Sequence, residues 1–306
     1  MGLSVTSSGS GYEGFLSTRD VHERAGPILS PLIRAAEPLL KIQRMTDKSL
    51  RARAISRSVW LADVAREFQW TSSVTYAGSE SELRALPNAI VFANHSLGIR
   101  DGHVTLSFME EMFPNYVNLA STDLRFPSIF DGTRIEVDLH QQKGGNRRAA
   151  LRAVRAVAEE GRSLFIFPSG RIAQFRIPSM SIEEKPWTPL FLWLARKCNV
   201  PLVPLCTHAR LSSLSHAIGV VSPTGRLLLN AVEAQSRRLL HVDCTVGRPI
   251  SPAALAAVGS DEAQLQFLRD QVFQLRHTPR ITGAGSLSRA ADESSPLRPG
   301  ALASRE

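Results

Sequence analysis

The sequence predicts an α/β fold, a mostly parallel or mixed central sheet flanked by helices and preceded by an amphipathic helical segment. Short β-branched apolar runs recur from residue 88 onward, and stretches with helical apolar spacing lie between them. The chain is also long enough, at 306 residues with 43% hydrophobic and 21% charged residues, to bury a full core without staples. Its three cysteines, Cys198, Cys206 and Cys244, form no CxxC pair, which argues against a disulfide framework or a zinc site.

Taken in order, residues 1–14 are Ser/Gly-rich and read as a flexible arm. Pro27 to Met45 has helical spacing, and Pro31 and Pro38 divide it into two short helices. Ser56 to Trp70 carries Val59, Trp60, Val64 and Phe68 opposite an Arg-bearing face, a pattern that suits either packing on a core or lying on a membrane. Asn88–Ala93 reads as a strand, Val104–Met112 as a helix, and Val117–Ala120 and Ile135–Leu139 as strands. Asn146–Glu160 is an Ala/Arg-rich helix stopped by Gly161, with Ala150, Leu151, Val154, Val157 and Ala158 expected inward. Ser163–Phe167 follows as a buried strand and Pro189–Lys197 as an apolar helix. Leu202–Leu205, Ile218–Val221, Leu227–Asn230 and Leu240–Val246 read as strands, with hairpin-like spacing near 218–230 that predicts a partly mixed sheet. Asp261–Arg276 closes the fold as an amphipathic helix, and 277–306, without aromatics, reads as a disordered tail. The expected organisation is an arm (1–14), an N-terminal helical segment (15–75), one domain (76–276) and the tail.

Two stretches can carry chemistry. In the first, the strand Val91–Ala93 runs into Asn94-His95, and Asp101 follows six positions after the histidine. On one continuous helix that separation leaves the side chains about 120° apart and unable to meet. They meet only if His95 lies in the strand-to-helix loop and Asp101 at the helix start, a turn that Gly98 and Gly102 permit. A carboxylate on one imidazole nitrogen fixes the tautomer and leaves the other nitrogen as a general base. Asp101 also suits an N-cap, and capping is compatible with orienting His95. In the second stretch, a buried strand ends in Phe167-Pro168-Ser169-Gly170 followed by Arg171. Backbone N–H groups turned outward by Gly170, together with Arg171, suit a phosphate or carboxylate, although an ordinary turn with a solvated Arg has the same pattern. The G-x-S-x-G elbow of serine hydrolases is absent. His103, His208 and His216 read as structural or surface histidines.

The net charge of +8 favours an anionic partner: a phospholipid surface, an acidic carrier or cofactor, or nucleic acid. Three Tyr, four Trp and no recognisable module set nucleic acid aside. No stretch reaches the roughly 18 apolar residues of a spanning helix, and residues 1–15 lack a basic start with an apolar block. A cytoplasmic, non-secreted protein is expected.

Together the motifs resemble the glycerolipid acyltransferase family, which contains lysophosphatidic acid acyltransferase. Asn94, His95 and Asp101 match its first block, Phe167-Pro168-Ser169-Gly170-Arg171 its third, and Val200-Pro201-Leu202-Val203-Pro204 its fourth, in the family's order. Lys185-Pro186-Trp187 and Trp193–Lys197 resemble the helix between the last two. Five residues, Ser96 to Arg100, separate His95 from Asp101, where the commonest pattern has four. That spacing, Gly98-Ile99 and Ser169 in place of Glu resemble a bacterial subgroup. The second block is best matched by Gly132–Leu139, where Leu139 or His140 stands in place of an Arg and Lys143, Arg147 or Arg134 are the nearby substitutes.

The resemblance implies an O-acyltransferase in which His95 is the general base and Asp101 its orienter, with Asn94, Phe167, Pro168, Ser169, Gly170 and Arg171 on the substrate side. It implies no metal and no cofactor beyond acyl-CoA or acyl-carrier protein as co-substrate. Its acceptor is a lysophospholipid such as 1-acylglycerol-3-phosphate, and its place the inner face of the membrane as a peripheral protein. The departures leave two alternatives: the same chemistry on an aminoacyl lyso-lipid or secondary-metabolite hydroxyl, or a lipid-binding protein without catalysis.

Overall fold

The computed structural model describes residues 55–122, 127–138, 146–176, 181–209 and 241–277. The N-terminal arm, the helices expected over 27–45, the strands expected over 218–230, Leu139, His140, Lys143, His216 and the tail beyond His277 lie outside the described residues.

Among the described residues a seven-stranded sheet forms the centre. Its strands are β1 (Thr71–Tyr76), β2 (Ile90–Ala93), β3 (Tyr116–Ser121), β4 (Arg134–Val137), β5 (Ser163–Ile166), β8 (Leu202–His208) and β9 (His241–Val246). Their spatial order is β1-β9-β8-β2-β5-β3-β4. β8, β2, β5, β3 and β4 run parallel; β9 is antiparallel to β8, and β1 runs parallel to β9. The fold class is α/β with a mixed sheet, and the mixing comes from β9 and β1. A separate antiparallel ribbon joins β6 (Gln174–Arg176) to β7 (Ser181–Glu183).

Every residue of β2 and β5 is buried, because helices cover both faces of the sheet. The pleat sends Val91 and Ala93 to one face, where they pack with α1 (Arg57–Phe68) and α3 (Ile99–Met112) through Trp60, Val64, Phe108 and Met109. Ile90 and Phe92 point to the other, against α4 (Arg147–Val154), α5 (Pro189–Cys198) and α7 (Asp261–Gln274) through Ala153, Phe191, Leu194 and Leu268. Two short helices, α2 (Glu80–Arg84) and α6 (Pro252–Ala256), complete the described elements together with short 3₁₀ turns. Pro204 sits inside a central strand without breaking it, since pairing with β9 begins one residue later, at Leu205. All three cysteines are buried free thiols, and burial pushes those of Cys198 and Cys206 up to about 11.

Three elements differ from their expected form. The helix after β2 begins at Ile99, five residues before its apolar spacing starts, because its first turn is occupied by buried Arg100 and Asp101. In α4 the buried stripe is Ala149, Ala150 and Ala153, continued by Ala156 and Val157, whereas Leu151 is 52% exposed and Ala158 faces solvent. A π turn over Arg155–Glu159 re-phases the last residues before Gly161, whose φ of 65° ends the helix. The polar strand β1 has a single fully buried side chain, Val74, and earns its place through edge pairing with β9.

α1 packs on the core. Ser56 caps it by accepting the Val59 N–H, and Trp60 meets Phe130 edge to face at 5.4 Å. His103 of α3 faces it: its Nε2 lies 2.8 Å from the Leu61 carbonyl and must donate there, with Trp70 edge-on at 5.1 Å. Burial holds this imidazole down at about 4. The unfolded chain therefore takes up the proton first, and His103 withdraws stability as pH falls from about 6.5 towards 4. Between pH 7.5 and 5.0 this amounts to about 2 kcal/mol. In urea titrations His103→Gln, which keeps a donor for Leu61, should lose that much less stability than wild type; an equal loss would contradict the assignment.

Candidate active site

β2 is flanked by β8 and β5 and parallel to both, so the three strands end at one edge of the sheet. Ligands of open α/β sheets gather at this edge. Asn94, the residue after β2, is fully buried. Its amide donates to the Thr207 carbonyl at 2.8 Å and to Ser96 Oγ at 3.0 Å, and its Oδ1 accepts the Thr207 N–H at 2.8 Å. The side chain thus replaces strand pairing where β2 leaves the ladder and ties the loop to β8.

His95 follows in the loop. Its Nδ1 lies 3.1 Å from Asp101 Oδ2. A carboxylate only accepts, so Nδ1 carries the hydrogen and Nε2 presents its lone pair. Nε2 has no partner among the described residues, and the side chain keeps 17% of its surface exposed. The ring lies flat on Phe167, with centroids 4.0 Å apart and planes 15° from parallel. The His95 carbonyl accepts the Ala173 N–H at 2.7 Å, which draws the segment after β5 around the histidine.

Asp101 is fully buried in the first turn of α3, where an anion suits the helix N-terminus. The N-cap position belongs to Gly98, not to Asp101. Asp101 nevertheless ties down the residue ahead of the cap, since Oδ2 accepts the Leu97 N–H at 2.6 Å, while Oδ1 accepts the Thr207 hydroxyl at 2.7 Å. Gly98 makes the turn with φ 69° and ψ −123°, a conformation closed to L side chains. Gly98→Ala should cost about 1–3 kcal/mol; an unchanged urea midpoint would contradict this backbone geometry.

The second motif forms the opposite wall. Phe167 is half-buried and also meets Phe165 edge to face at 4.8 Å. Pro168 and Ser169 are buried; the Pro168 carbonyl accepts the Thr188 N–H at 3.1 Å, and Ser169 Oγ donates to the Arg171 carbonyl at 3.0 Å. Gly170, at φ 63°, closes the turn by donating its N–H to the Phe167 carbonyl at 2.9 Å, so this N–H is used inside the turn and not turned outward as expected, and Arg171 is exposed beside it. His95 is therefore in contact with both Asp101 and Phe167, and the turn to Arg171 follows Phe167 directly.

Among the substitutes for the second-block Arg, Arg134 bonds Glu136 on β4, and Arg147 is exposed at the start of α4. His208, at the end of β8, has Nε2 3.4 Å from Asp243 Oδ2. Two site residues escaped the sequence reading. Thr207 was hidden inside a buried strand, with a polar break in an apolar run as its only signal. Glu184 is buried on the site loop, where its carboxylate accepts the His95 backbone N–H and, at 3.0 Å, the Trp187 Nε1–H. Its only sequence signal is its place beside Lys185-Pro186-Trp187.

No protein-family model matches this chain, and no curated protein matches it in sequence. Among solved structures it is similar to the crystal structure of the 1-acyl-sn-glycerophosphate (LPA) acyltransferase PlsC from Thermotoga maritima. The identity is 18% and the TM-score 0.42, over 85% of this chain and 93% of that one.

Proposed function

We propose that this protein is an O-acyltransferase that moves a fatty acyl group from an acyl thioester to the hydroxyl of a lysophospholipid such as 1-acylglycerol-3-phosphate. The observation that carries the reading is the His95–Asp101 pair at the ends of the parallel strands, with Nδ1 held at 3.1 Å and Nε2 open. The motif order shared with the glycerolipid acyltransferases supports it. His95 Nε2 takes the acceptor's hydroxyl proton as the oxygen attacks the thioester carbonyl carbon. The new C–O bond forms, the C–S bond breaks, and the departing sulfur receives the proton back from His95. Asp101 holds the ring and stabilises its charged form in the attack. The Phe167–Gly170 turn and Arg171 receive the acceptor's polar head, and Asn94 serves the site by locking the loop to β8.

The donor on this reading is acyl-CoA or an acyl-carrier protein. The +8 charge suits either donor and an anionic membrane surface, with the protein peripheral at the inner, cytoplasmic face. No helix among the described residues is long and apolar enough to cross a membrane. Purified protein with acyl-CoA or acyl-carrier protein should release free thiol only when a lysolipid acceptor is present. A panel that includes 1-acylglycerol-3-phosphate and an aminoacyl lyso-lipid identifies the head group. Thiol release indifferent to every acceptor, or none at all, would overturn the proposal.

A further inference from the structure

We propose that Glu184 is a positioning residue for His95, holding its backbone as Asp101 holds its side chain. The inference rests on the acyltransferase reading for its catalytic consequence, and on geometry alone for the clamp itself.

His95 is restrained on three sides. Asp101 takes Nδ1, Ala173 donates to the carbonyl, and one Glu184 oxygen, Oε1, accepts the backbone N–H. The other, Oε2, accepts the indole N–H of Trp187 at 3.0 Å. Trp187 is itself fixed in the core, edge to face with Phe92 at 5.8 Å and with Phe191 at 5.6 Å. Glu184 thus bridges the loop after β2 to the approach of α5, and only Nε2 of His95 is left for chemistry.

The residue type matters. Both partners are donors, so the site needs two acceptor oxygens on one side chain, which a carboxylate supplies and an amide does not. Only 7% of Glu184 is exposed, and burial pushes its carboxyl above the usual carboxylate range, opposed by the indole and backbone donors and by His95. An ionised carboxyl here works against folding stability at neutral pH. A group kept at such a cost beside a reactive imidazole fits a functional role better than a packing one.

Amide hydrogen exchange by NMR tests the clamp without any turnover. In wild type the His95 amide should exchange slowly for a loop residue. Glu184→Leu removes both acceptors and should speed that exchange roughly tenfold or more. It should also lower kcat for acyl transfer about 10- to 100-fold, with KM for the thioester changed less than about twofold. In the double variant Glu184→Gln/Trp187→Phe the competing donor is gone, and the amide oxygen is available to the His95 N–H. Protection and kcat should then recover towards the level of Trp187→Phe alone. A rapidly exchanging His95 amide in folded wild type, full protection in Glu184→Leu, or a double variant worse than Glu184→Leu would overturn the proposal. If wild type shows the exchange pattern but transfers no acyl group, the clamp stands and the acyltransferase reading falls.

Discussion

His95→Ala should lower kcat for acyl transfer by about 10²- to 10⁴-fold, the usual contribution of a general base, in a protein that remains folded. The fold survives because the side chain is partly exposed and, among the described residues, hydrogen-bonds only to Asp101. The bonds that hold this stretch of chain are made by the His95 backbone, to Glu184 and Ala173, and alanine keeps them. The lost ring contact with Phe167 should cost no more than about 1 kcal/mol. KM should move little, since in the proposed mechanism the imidazole acts on the proton in flight more than on bound substrate. Added imidazole should restore part of the rate by entering the space above Phe167. A variant with near-normal kcat would remove His95 from the mechanism.

Asp101→Asn is the second large effect, and it separates charge from structure. The carboxylate has three donors: Leu97 N–H and His95 Nδ1–H on Oδ2, and the Thr207 hydroxyl on Oδ1. An asparagine with its oxygen at the Oδ2 position keeps the first two. Its NH₂ then faces the Thr207 hydroxyl, which can rotate to accept and turn its own hydrogen towards Asn94 Oδ1, 3.5 Å away. The fold should persist while the fixed charge that the proposed mechanism uses to stabilise the imidazolium disappears, and kcat should fall about 10²- to 10⁴-fold. Asp101→Ala also orphans the buried Leu97 N–H, leaves the Thr207 hydroxyl with the longer bond to Asn94 Oδ1, and should destabilise by about 3 kcal/mol or more. Parallel kinetics and urea unfolding check both. Asparagine with normal kcat, or as unstable as alanine, would contradict the assigned network.

Much of the sheet was legible because its central strands are buried on both faces and therefore read as apolar runs, as in Ile90–Ala93 and Leu164–Ile166. β1 was not, since Thr71–Tyr76 is an edge strand whose neighbour β9 comes 170 residues later, and nothing local records that pairing. The inward face of α4 was misjudged for a related reason: Leu151 is larger and more apolar than Ala149 or Ala153, but close packing selects the small residues and leaves Leu151 outside. At the site, the spacing of His95 and Asp101 foretold a loop-to-helix contact because only that geometry closes the pair. The stacking of His95 on Phe167 joins two strands distant in sequence, and only their parallel register brings it about. Thr207 and Glu184 carry no motif, so their roles emerged from burial and hydrogen bonding alone.

The most direct test is mass spectrometry of the lipid products after incubating wild type and His95→Ala with lysolipid and a labelled acyl thioester. Wild type should yield the acylated lipid in step with released thiol, and His95→Ala neither beyond background. Equal product from folded His95→Ala would contradict the central claim that the Nε2 of this histidine draws the proton from the attacking hydroxyl.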